Sequence, residues 1–236
     1  MSERQIVAMG GGGFSFGLDD DGRRLDHYVV DLTGAAKPRI CFLPTASGDA
    51  TTYVVRFYDA FPARRYTPSH LGLFTRTVAD VRGFLLDQDL IYVSGGNTAN
   101  LLAVWRLHGV DQVLREAWEQ GIVLCGLSAG SLCWFEAGTT DSFGPELAPL
   151  NDGLGFLAGS HCPHYDGEAQ RRPAYHRFIA EGRLPPGVAA DNGVGLHYLG
   201  TELAEIVASH PDRCAYRVDL VGDTAKETPL PARLLP

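Results

Sequence analysis

Four short apolar runs, each closed by glycine or proline, set the tightest limit on the fold. Gln5–Met9 runs into Gly10–Gly13, and Arg39–Leu43 runs into Pro44 and a Ser-Gly turn. Leu90–Val93 ends at Ser94-Gly95-Gly96, and Ile122–Cys125 ends at Gly126. Each reads as a buried strand. Helical patterns lie between them. Val110, Val113, Leu114, Ala117 and Trp118 fall on one face of a helix, with Gly121 as its stop. Asn97–Leu107 predicts a second helix, with Asn97 or Thr98 as its N-cap. Thr51–Phe61 and Val78–Leu86 predict two more.

This alternation implies an α/β fold, a mainly parallel sheet with helices on both faces. Ligands of such folds bind outside the carboxyl ends of the strands, which is where this chain puts its Gly-rich turns. From about Asn151 the pattern changes. Val188–Ala190, Gly195–Tyr198, Ala204–Ala208 and Ala215–Leu220 read as strands punctuated by Gly and Pro. They predict the far edge of the sheet plus a small β-rich C-terminal part. The chain has 236 residues, no internal repeat and no long linker, so residues 1–236 read as one domain.

Composition removes several classes of function. Hydrophobic residues make up 45% and charged residues 20%, which argues against disorder. A net charge of −8 disfavours a nucleic-acid partner. The apolar runs are too short to cross a bilayer, and the start MSERQIVAMG lacks the shape of a signal peptide. The five cysteines, Cys41, Cys125, Cys133, Cys162 and Cys214, include no C-x-x-C pair, as expected of reduced thiols. The expectation is a cytoplasmic protein with no membrane or nucleic-acid partner; a homodimer is left open.

The most informative stretch is Gly126-Leu127-Ser128-Ala129-Gly130. It is a G-x-S-x-G motif that follows an apolar strand and precedes a helix-compatible run, Ala129–Ala137. A serine on such a turn projects its hydroxyl at the strand end, beside helix-start N–H groups that can hold an oxyanion. The plainer reading is a Gly-bracketed turn with an ordinary capping serine.

A serine nucleophile needs a base. The segment Ser160-His161-Cys162-Pro163-His164-Tyr165-Asp166-Gly167-Glu168 offers His164, placed by Pro163 on an extended or turn segment after a strand. His161, Cys162 and His164 read alternatively as metal ligands, although the spacing fits no standard zinc pattern. His164 also reads as a structural, hydrogen-bonded loop histidine. The base needs an orienting partner, and Asp141, Asp191 and Asn192 are candidates. Asp191-Asn192-Gly193 also suits a hairpin turn. Ser94-Gly95-Gly96-Asn97-Thr98 closes another strand, so Gly96 N–H and Ala129 N–H form the expected oxyanion pair. A phosphate site is the rival reading of a Gly-rich strand–helix turn. Neither Gly loop fits G-x-x-x-x-G-K-[ST], and Gly10–Gly13 lacks the G-x-G-x-x-G context, which leaves nucleotide binding a weak alternative.

Taken in order, Gly95-Gly96-Asn97-Thr98, Gly126-Leu127-Ser128-Ala129-Gly130 and Cys162-Pro163-His164-Tyr165 resemble the peptidase E or aspartyl dipeptidase family, serine peptidase family S51. Thr139-Thr140-Asp141-Ser142 and Asp166-Gly167-Glu168 look like the same family's linking segments. The resemblance runs from roughly Ile6 to Val218. It implies a flavodoxin-like three-layer fold similar to class I glutamine amidotransferases, with serine in place of their cysteine. It implies hydrolysis of dipeptides with an N-terminal aspartate, using neither cofactor nor metal.

Carried onto this chain, the resemblance makes Ser128 the nucleophile and His164 the base. The family's third member is Glu or Asp, whereas Asn192 aligns best here, with Asp191 just before it. Asp141 matches a family aspartate near the active site and is placed to contact the substrate amine. Substrate aspartate needs a cation, for which Arg171 and Arg172 are nearest in sequence; their plainer reading is a solvated helix start. The expected partner is a small peptide substrate. The rival readings are a cyanophycinase-like or other acyl hydrolase and a non-catalytic amidotransferase-like binding protein.

Overall fold

The computed structural model describes residues 3–15 and 20–236. Met1 and Ser2, which open the segment read above for a signal peptide, lie outside that range. Strand β1 (Gln5–Met9) comes first, then helix α1 (Asp20–Asp31), β2 (Arg39–Leu43), α2 (Thr51–Ala60) and β3 (Thr67–His70). Next are α3 (Val81–Leu86), β4 (Leu90–Val93), α4 (Thr98–His108), α5 (Val110–Glu119) and β5 (Val123–Leu127). Local chemistry sets the helix starts. Asn97 Oδ1 accepts from Asn100 N at 2.8 Å. Asp80 Oδ1 accepts from Gly83 N at 2.8 Å, so α3 starts at Val81 rather than at Val78.

The remaining elements are α6 (Ala129–Leu132), β6 (Phe135–Thr140), β7 (Ala148–Leu150), β8 (Leu157–Cys162), α7 (Arg171–Ala180) and β9 (Gly187–Ala190). After them come β10 (Val194–Leu199), β11 (Glu202–Ala208), β12 (Ala215–Val221), β13 (Thr224–Leu230) and β14 (Arg233–Leu234).

The strands form two sheets. The first has the order β14-β11-β10-β1-β5-β4-β2-β3. Its β1, β5, β4, β2 and β3 are parallel, and β10 pairs antiparallel to β1. The second has the order β13-β12-β9-β8-β6-β7, with β6, β8 and β9 parallel.

Two expectations are corrected. The run Ala129–Ala137 is not one helix: α6 ends at Leu132 and β6 begins at Phe135. Main-chain bonds from Leu154 N to Cys133 O and from Phe156 N to Trp134 O draw the chain into sheet geometry there. The β-rich part also starts earlier than Asn151 and is a sheet of its own. Only β10, β11 and β14 extend the far edge of the first sheet.

Side chains of the first sheet alternate between two cores, as period-2 strands require. Ile6, Ala8, Ile91, Val93 and Leu124 pack with α3, α4, α5 and the second sheet. Val7, Met9, Tyr92, Phe42 and Cys125 pack with α1 and α2. In that second core Phe42 stacks on Phe57 at 4.9 Å, and Phe14 meets Tyr92 edge-on at 5.2 Å. Each such ring contributes about 1.5–3 kcal/mol by burial, and together they clamp α2 to the sheet. The carboxyl ends of the two sheets meet at the first glycine after β1, where His164 N donates to Gly10 O at 2.9 Å.

Candidate active site

Ser128 sits between β5 and α6 with φ 55° and ψ −113°. Among the described residues, only Asp49, Ser128 and His164 are non-glycine residues with positive φ. Such backbone strain costs on the order of 1–3 kcal/mol per residue and clusters at functional sites. Packing holds the turn in place. A Cβ on Gly126 would run into Gly130 O, and one on Gly130 would lie 2.6 Å from Val93 O. Ser128 N donates to Met9 O at 3.1 Å, and Leu132 N donates to Ser128 O at 2.9 Å.

A cavity of about 510 Å³ opens over this turn, and both Ser128 and His164 line it. A larger hollow of about 620 Å³ between α1 and β14 has no serine, threonine or cysteine among the described residues that line it, whereas the smaller one brings Ser128 and His164 together. His164 Nδ1 lies 2.7 Å from Asn192 Oδ1. An amide oxygen only accepts, so Nδ1 carries the proton and donates it, and Nε2 is left free as a base. Burial holds the His164 imidazole below its ordinary 6.5; the Asn192 hydrogen bond opposes that shift, and Arg171 adds to it.

Asn192 is wedged in its place. A Cβ on Gly11 would collide with Asn192 Oδ1 and lie 2.8 Å from His164 Cε1. A Cβ on Gly167 would collide with Asn192 Nδ2. Asn192 N donates to Asp166 Oδ1 at 2.7 Å. Gly10–Gly13 therefore builds the floor beneath the histidine and the asparagine, a role that inspection for nucleotide motifs misses.

Asp191 does not face the histidine. Its Oδ2 accepts from Cys214 N at 3.2 Å, and burial pushes its carboxyl above the ordinary range. Asp191 follows β9 and turns toward Cys214, while Asn192, on the turn after it, reaches the ring.

Asp141 lies outside the cavity lining, with its side chain 58% exposed and 3.9 Å from the Arg171 guanidinium. Arg171 is 3% exposed, so it is no solvated helix start. Its Nε donates to Glu168 Oε2 at 2.8 Å, and its Nη1 donates to Thr139 O at 3.2 Å. Arg172 pairs with Glu227 at 3.3 Å and lies over the Tyr165 and Tyr216 rings. Neither arginine is among the residues that line the cavity with Ser128. Adjacent residues of a helix point about 100° apart, and each guanidinium has found its own acid.

Gly95 and Gly96 line the cavity beside Ser128. Gly96 has φ 136°, and a Cβ there would strike Ala46 O; this is a conformation only glycine adopts freely. Ala129 opens α6 directly after the serine. His161 is turned inward, not toward a metal: Nδ1 lies 3.1 Å from Val188 O and Nε2 lies 3.1 Å from Ser131 Oγ. Burial pulls its imidazole down to about 3, which keeps it neutral. Ser131 Oγ lies 2.7 Å from Ser128 O, so the two residues brace the elbow from behind. Their spacing carries no motif, and only the fold reveals them.

The sequence profile of peptidase family S51 matches residues 6–206. The chain belongs to peptidase family S51. A relative from Bacillus subtilis (strain 168), the uncharacterized peptidase YgaJ, is 50% identical over 232 residues, 98% of this chain and 99% of that one. Peptidase E of Streptomyces coelicolor is 29% identical over 147 residues, 60% of this chain and 58% of that one. The crystal structure of a peptidase from an acI-B1 Actinobacterium has a TM-score of 0.66 at 19% identity, covering 98% of this chain and 95% of that one. A putative Peptidase E from Listeria monocytogenes EGD-e has a TM-score of 0.56 at 17% identity, covering 97% and 100%. The S51 fold is thus the mixed α/β architecture expected from the strand pattern. Among the described residues no helix is long and apolar enough to cross a membrane.

Proposed function

We propose that this S51 peptidase is serine-type and cuts dipeptides with an N-terminal aspartate through an acyl-enzyme at Ser128. The observation that carries the reading is the 2.7 Å contact between His164 Nδ1 and Asn192 Oδ1 beside a strained serine in one cavity. His164 Nε2 takes the Ser128 proton as the hydroxyl oxygen attacks the scissile carbonyl. The N–H groups of Gly96 and Ala129 hold the oxyanion. His164 then protonates the leaving amine, and water, activated by the same imidazole, releases the acyl group.

An asparagine orients the ring without adding a negative charge. The imidazolium formed during attack is stabilised instead by the more distant carboxylates of Glu168 and Asp141, both of which act to raise the His164 pKa. The preference for aspartate draws its support from the resemblance of the motifs to the aspartyl dipeptidase family and from the Arg56 guanidinium in the cavity lining. Turnover of Asp-X dipeptides by the wild type and by Ser128→Ala tests the proposal. Near-normal hydrolysis by the variant would end the serine-nucleophile reading.

A further inference from the structure

Among the described residues lining the cavity over Ser128, one carries a permanent charge. The ionisable side chains among these lining residues are those of Tyr53, Arg56 and His164, and none is an aspartate or glutamate. Burial holds His164 toward its neutral form and holds the Tyr53 phenol toward its protonated form. The guanidinium of Arg56 is what remains. Its hydrogen bond is a long one, Nη1 to Ser15 O at 3.5 Å, and among the described residues no carboxylate pairs with it. This contrasts with Arg171 and Arg172, which both have acids.

Arg56 lies on α2, one turn after Thr52 and within reach of the same opening. The aromatic stack of Phe57 on Phe42 anchors that helix, so the guanidinium projects from a rigid base. Ser47, Thr52 and Tyr53 add hydroxyls around it. A planar fork with unused donors, in a pocket with no acid among its described lining residues, on a chain of net charge −8, is built to take a carboxylate.

We infer that Arg56 is the specificity-determining residue that binds a substrate carboxylate beside Ser128, the part first expected of Arg171 and Arg172. The inference rests on the peptidase reading above. An Asp-X dipeptide offers two such carboxylates, the side chain of the acyl residue and the C-terminus of the leaving residue.

The test compares wild type, Arg56→Gln and Arg56→Lys on Asp-Leu, Asn-Leu and Asp-Leu amide. The expected result is a fall in kcat/KM of roughly tenfold to a hundredfold in Arg56→Gln, carried mainly by KM, with partial recovery in Arg56→Lys. A fall on Asp-Leu and its amide but not on Asn-Leu assigns the side chain. A fall on both free dipeptides but not on the amide assigns the leaving residue. No fall, or an equal fall on all three, overturns the inference.

Calorimetry on Ser128→Ala repeats the comparison without turnover. Weaker Asp-Leu binding once Arg56→Gln is added supports the assignment, and unchanged binding overturns it. A wild type that binds Asp-Leu through Arg56 yet cuts no dipeptide would count against the peptidase reading alone.

Discussion

The Nδ1 of His164 points at the Oδ1 of Asn192 across 2.7 Å, and glycines on either side of the amide leave it no room to turn away. The arrangement fixes the ring's tautomer with a neutral partner. Replacing Asn192 by Ala frees the ring, and kcat should drop by roughly a hundredfold or more. Replacing it by Asp puts a negative charge beside the imidazole and raises its pKa. The acid limb of the pH–rate profile should then move to higher pH than in the wild type. An unmoved limb in Asn192→Asp would show that the contact does not govern the base.

The acid limb of the wild type should itself lie below pH 6.5. A base acts only when neutral, and burial depresses the His164 pKa, so the ring stays neutral further into acid than a free imidazole does. A profile of kcat/KM from pH 4 to 8 checks this, and a half-maximum above 6.5 would contradict it.

Removal of the nucleophile by Ser128→Ala should lower kcat by several orders of magnitude, since groups that act together lose nearly everything with any one of them. A fluorophosphonate should label wild-type Ser128 and leave the variant unlabelled, as mass spectrometry of the tryptic peptide would report.

The floor of the site gives a sharper steric test. In Gly11→Ala the new Cβ would collide with Asn192 Oδ1 and press on the His164 ring. The change should displace the histidine–asparagine pair and cost at least tenfold in kcat, while thermal unfolding shows the protein still folded. Gly34→Ala is a fitting control: nothing lies within 4 Å of its Cβ, and its positive φ of 64° carries only local strain.

Stability should respond to Asp26. It is fully buried, Tyr92 OH donates to its Oδ1 at 3.0 Å, and burial pushes its pKa up from 3.8 to about 7. The folded state therefore holds this proton over a range in which the unfolded state has lost it. Stability should fall as pH rises from about 4 to about 7 and level off above, by up to roughly 4 kcal/mol. Asp26→Asn should flatten that slope, as denaturant titrations at pH 5 and pH 7.5 would reveal.

Much of the site was legible in the chain because its parts are local. An apolar strand run into Gly-Leu-Ser-Ala-Gly specifies a tight elbow whatever surrounds it, and Pro163-His164 after β8 places an imidazole at a strand end. The same locality explains the helix and strand positions from Gln5 to Leu127, where burial on both faces of the sheet writes continuous apolar runs. What depended on distant parts of the chain could not be read in this way. The choice of Asn192 over Asp191 followed from the turn after β9 packing against Gly11 and His164, and the pairing of Arg172 from Glu227 on β13. Arg56 became visible only once α2 was packed over the serine turn. Periodicity and turn chemistry act over a few residues, whereas the partner of a charge is selected by packing between segments far apart in sequence.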